Sequence, residues 1–83
     1  MEGGEKGNHP VNTYTISVQH RIEHRAVVPM KRFRSTKDDA MMYAYAFSQK
    51  AALCDAVLTR GSKHIVTYRD GEITELNGKA YNE

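Results

Sequence analysis

Apolar and polar residues alternate from 13 to 19. Tyr14, Ile16 and Val18 fall on one side, and Thr13, Thr15, Ser17 and Gln19 on the other. A side-chain period of two, rich in β-branched residues, predicts a strand with one buried face. A second extended run covers 25–33, with Val27 and Val28 at its centre. Pro29 has no N–H to give to a ladder, so this strand belongs at a sheet edge or is bulged at that point. The residues between them, 20–24, must turn without the help of a glycine.

The period then changes. Ala40, Ala44, Phe47, Ala51, Cys54 and Leu58 recur at spacings of four and three, which is one stripe of a helix. Ser35 with Asp38, or Thr36 with Asp39, offers the N-cap, and two aspartates in the first turn suit the positive end of the helix dipole. The stripe allows two lengths. In one the helix runs to about Thr59 and Gly61 is its left-handed cap. In the other it stops near Lys50 and residues 55–60 enter a strand. Phe47, the only phenylalanine of the stripe, is expected at the centre of the core, with Cys54 as a small buried neighbour.

Residues 63–69 and 72–76 flank Asp70-Gly71. Asp-Gly between two alternating runs predicts a hairpin with a two-residue type I′ turn. That turn pairs Tyr68 with Ile73, Arg69 with Glu72 and Thr67 with Thr74, with Val66, Tyr68 and Ile73 turned to the helix. The expected order is strand, strand, helix, strand, strand. The expected fold is an α+β two-layer sandwich, one helix packed on an antiparallel sheet.

At 83 residues there is room for one small domain, expected over 13–77, and none for a large cavity beside a core. No internal repeat is present. Residues 1–12, with three glycines, a proline and several charges, read as a disordered tail, and residues 78–83 as a loose one. Cys54 is the only cysteine, so no internal disulfide forms, and a reducing, cytoplasmic compartment is expected. No apolar run approaches the ~20 residues of a membrane span, and no apolar segment suggests a signal peptide.

Charge alters the picture most. Residues 20–36 hold Arg21, Arg25, Lys31, Arg32 and Arg34 against one acid, Glu23. That is a local charge of +4 in a chain whose net charge is +2. A basic patch on a near-neutral body marks a surface that meets an anionic partner, whether nucleic acid or an acidic protein face. Phe33 among these cations adds a stacking ring that suits a base. Basic residues on an edge strand also discourage aggregation, but Lys31, Arg32 and Arg34 are denser than that purpose needs. Met41, Met42, Tyr43 and Tyr45 flank the helix stripe. They either cover the sheet edges or form a patch for a partner or a homodimer.

Catalytic readings find little. His20 and His24 would pair on a helix but sit on a turn, and His9 and His64 are remote, so no metal site is expected. Asp38 and Asp39 are explained by capping. There is no Gly-rich phosphate loop and no nucleophile–base pattern, so no cofactor is implied and binding is expected over catalysis. An enzyme holding substrate between protomers is a third reading, with no residue to assign to it.

Glu23-His24, then Val28-Pro29, then Thr36 followed by Asp38, Asp39 and Ala40, and Leu58-Thr59-Arg60 resemble the small RNA polymerase inhibitors of short-tailed coliphages. The resemblance covers roughly residues 14–60, with short insertions after Pro29 and in the helix. It implies a non-enzymatic phage or mobile-element protein. Such a protein would work in the host bacterial cytoplasm, dock on RNA polymerase and block promoter DNA. It also implies that Arg60 joins the partner-binding set of Arg21, Arg25, Lys31, Arg32, Phe33 and Arg34. The chain departs from that family in its final hairpin and in Ser62, where the family has a second arginine. The second function reading, of another class, is a DNA- or RNA-binding module built on the first hairpin.

Overall fold

The computed structural model describes residues 10–22, 27–51 and 53–81. Its elements are β1 (Asn12–His20), β2 (Val28–Ser35), α1 (Lys37–Lys50), β3 (Cys54–Arg60), β4 (Lys63–Arg69), β5 (Glu72–Leu76) and β6 (Lys79–Ala80). The six strands form one antiparallel sheet in the order β2-β1-β3-β4-β5-β6, and α1 packs on one face of it. The α+β class and the helix-on-sheet arrangement agree with the sequence pattern. The order differs: two strands precede the helix and four follow it.

The shorter of the two helix lengths is the one formed. Thr36 is the N-cap and its hydroxyl accepts from the Asp39 N–H at 3.3 Å, so the second capping pair is used. The chain turns back through Leu53, at φ 61°, and enters β3. Gly61 is therefore not a helix cap. With φ 63° it opens the turn from β3 to β4. Cys54 correspondingly begins a strand, half-buried, rather than lying on the helix stripe.

Pro29 explains the shape of the edge. β2 is the outermost strand, and Ile16 pairs with Lys31 while Ser17 pairs with Pro29. Met30 is thus an extra, bulged residue next to the proline. At the second hairpin Asp70 and Gly71 take φ 54° and 84°, as a type I′ turn requires. Arg69 and Tyr68 pair with Glu72 and Ile73 as the turn dictates. A bulge then shifts Thr67 to Glu75 instead of Thr74. Past Leu76, where a loose tail was expected, Asn77-Gly78 makes another positive-φ turn and Lys79–Ala80 adds β6.

The core is the helix face of the central strands. Tyr14, Ile16, Leu58, Val66 and Tyr68 pack beneath Ala40 and Ala44. The buried helix positions are Ala40, Ala44 and Ser48, a row of small side chains that lets α1 lie close to the sheet. Ser48 is satisfied although buried: its hydroxyl donates to the Tyr45 carbonyl at 2.7 Å and accepts from the Gly71 N–H at 2.9 Å. This bond fastens α1 to the β4–β5 turn. Phe47, expected at the centre, is only partly buried and packs against the core from its margin. Phe47→Ala should therefore cost about 1–3 kcal/mol, less than the ~3–5 of a fully buried phenylalanine. In a thermal melt each 1 kcal/mol is roughly 4–8 °C for a domain of this size. A variant that does not fold would return Phe47 to the centre of the core.

Candidate protein-binding surface

Among the described residues α1 covers one face of the sheet and no element packs on the other. Pairing runs across that open face in rows: Arg32 beside Thr15 beside Thr59 beside His64, then Ser17 beside Val57 beside Thr67 beside Glu75. These side chains alternate with the buried Tyr14, Ile16 and Leu58, so their direction follows from the pleat. The face is mostly polar, and although no second layer meets it among the described residues, Ser17, Val57 and Thr67 in its middle row are buried.

Three groups of side chains organise it. At one end Asp55, 7% exposed, accepts from Arg69 Nε at 2.9 Å, Arg69 Nη2 at 2.9 Å and Arg21 Nε at 3.1 Å. Arg21 also reaches Asp70 at 2.9 Å. Burial alone would raise the pKa of Asp55. The hydrogen bonds and charges of Arg69 and Arg21 outweigh it and hold the carboxyl below its ordinary value. Between β4 and β5, His64 Nδ1 accepts from the Gly78 N–H at 2.8 Å and its Nε2 lies 2.8 Å from Thr67 Oγ1. Thr67 in turn donates to Glu75 at 3.2 Å. This chain anchors the β5–β6 turn.

The third group is on β2, where the predicted binding residues separate. Arg32 and Arg34 are exposed, beside Thr15 and Thr13 on the open face, and no described residue forms an ion pair with either. Lys31 and Phe33 point the other way. Lys31 Nζ donates to the Tyr43 hydroxyl at 2.9 Å and sits 5.2 Å from its ring centroid. Phe33 lies between Tyr14 and Tyr43, with centroids at 6.4 and 5.0 Å. The ring read as a base-stacking candidate is half-buried on the helix side, apart from Arg32 and Arg34. Arg21 is likewise spent on Asp55 and Asp70. Arg60 ends β3 on the helix side, lining a shallow cleft with Thr36 and Asp38, away from Arg32 and Arg34. Arg25, Glu23, His24 and His9 lie outside the described residues.

The Met/Tyr flank divides in a similar way. Tyr43 leans onto Phe33 at the β2 margin, and Tyr45 leans onto Tyr68 of β4, edge to face at 5.8 Å, beside the β4–β5 turn. Met42 faces solvent. Sequence reasoning missed the Asp55 network because Asp55 was counted into the alternatives for a helix end. Its signal was an acid among Cys54, Ala56, Val57 and Leu58, where only paired charge survives burial.

On the open side, Arg32, Thr15, Thr59 and the bulged Met30 border a shallow groove of ≈ 570 Å³ along β2. No group of three or more metal-ligating side chains meets among the described residues, and none of their helices is long and apolar enough to cross a membrane. Comparison with protein-family models, curated proteins and solved structures found no match.

Proposed function

We propose that this chain is a non-enzymatic binding protein that docks its basic β2 margin on a bacterial host protein and inhibits it. RNA polymerase is the first candidate. The observation that carries the reading is the pair Arg32 and Arg34, exposed and, among the described residues, without ion-pair partners on an edge strand, next to the exposed Val28 and Met30. Cations beside apolar side chains suit a protein face better than a phosphate backbone, which asks for charge alone. The phage origin and the choice of polymerase rest on the sequence resemblance. In support, Leu58-Thr59-Arg60 stands on a strand, where that resemblance implies one.

The test is promoter-dependent transcription by purified bacterial RNA polymerase, with direct binding measured in parallel. The wild-type chain should bind the enzyme and reduce transcript, and Arg32→Glu/Arg34→Glu should do neither while melting like the parent. Both side chains are exposed, so the stability change should stay within about 0.5 kcal/mol. If the wild type neither binds nor inhibits, polymerase is ruled out. Steeply salt-dependent binding of DNA or RNA instead would move the function to nucleic acid.

A further inference from the structure

Among the described residues the sheet has one long free edge. There β2 is paired only with β1, and its residues from Val28 to Arg32 are all exposed. An edge strand presents a row of unused N–H and C=O groups that templates another strand. Here the row is usable only in part. Pro29 has no N–H and Met30 is bulged, which leaves Lys31 to Ser35 as regular ladder. Along that stretch the two faces differ in chemistry. Arg32 and Arg34 project to the open side, while Phe33, with Lys31 bound to Tyr43, projects to the helix side.

An incoming strand would alternate against the same two faces. Side chains beside Arg32 and Arg34 would be acidic, and those beside Phe33 apolar. A second copy of this chain does not fit, because its β2 would set three cations against three. Nucleic acid lacks the amides that the edge can use, and among the described residues no Phe or Tyr ring stands on the open face, where the one imidazole, His64, is held by Thr67 and the Gly78 N–H. We propose that the β2 edge takes up an extended acidic segment of a partner protein as a seventh strand. This rests on the reading of β2 as the binding surface and adds how the surface is used.

A heptapeptide of alternating glutamate and valine is the probe, at low salt, with two N-methylated forms that block alternate amides in opposite phase. Only one phase of amides faces β2 in a paired strand. One methylated form should therefore bind at least about tenfold more weakly and the other like the parent, since two or three backbone hydrogen bonds are lost. Amide exchange should slow within Lys31 to Ser35 when the parent peptide binds. Equal binding of all three peptides, protection elsewhere, or no peptide binding at all would overturn strand addition. Those results leave the proposed function standing if the wild-type chain still inhibits polymerase and Arg32→Glu/Arg34→Glu does not. Displacement of the peptide by polyglutamate, with no change in exchange at β2, would overturn it as well, by reducing the contact to charge.

Discussion

Leu58→Ala is expected to remove about 2–5 kcal/mol of stability, a large share of the roughly 4–12 kcal/mol that a domain of this length has. Leu58 is fully buried on a central strand, paired with Ile16 on one side and Val66 on the other, within the cluster that Ala40 and Ala44 complete. Ala40 and Ala44 have no reach to fill the space it would leave, so the cavity persists and the cost lies toward the upper part of the range. Urea denaturation checks it. The midpoint should fall with the slope unchanged, because the surface exposed on unfolding is nearly the same. Met42→Ala, at 69% exposure on the outer side of α1, is the control and should stay within about 0.5 kcal/mol. If the two variants unfold alike, α1 does not cover Leu58.

Asp55→Asn should destabilise at neutral pH by about 1–3 kcal/mol. That is more than a surface pair, because the carboxylate is buried, and less than a fully buried pair, because Arg69 is half exposed. Its pH dependence carries a sign. The folded-state pKa lies below the ordinary 3.8, so the unfolded chain binds the proton first as pH falls. The stabilisation is complete above the unfolded value and is lost as pH drops through the folded one. Urea midpoints of parent and variant should differ at pH 7 and converge on going well below pH 4. An unchanged gap across that range would mean that shape, and not charge, holds Arg21 and Arg69 in place.

Much of the fold is written in local signals. The alternation from Thr13 to Gln19, the Ser35-Thr36 cap and Asp70-Gly71 each specify a structure within a few residues, and the strand, the Thr36 cap and the turn form, although Ser17 is buried on the polar side and Val18 only partly buried on the apolar one. What escaped depends on contacts distant in sequence or on residue types that carry no signal. The helix ends at Lys50, and the chain then turns through Leu53 with a positive φ, a conformation that glycine announces and leucine does not. Ala51, Cys54 and Leu58 continue a helical spacing by coincidence, and pairing with β1 overrides it. Phe47 looked central because hydrophobic periodicity does not reveal a buried serine whose hydroxyl is satisfied from another element. Asn77-Gly78 was legible as a turn, but a two-residue strand after it gives no alternation to read. For the candidate site, the charge of residues 20–36 was visible. Which cations are engaged by Asp55, Asp70 or Tyr43 was not, because those partners lie on other elements.

The two margins of the sheet are unequal, and this bears on assembly. One ends in the eight-residue β2, the other in β6, which has two residues among those described. An endless ribbon of chains needs a usable edge at both ends of each copy, so that every addition exposes a fresh one. With one such edge among the described residues, a single pairing event uses it up. Growth beyond a closed pair has no template, and conditions that screen the arginines would yield dimers rather than fibres.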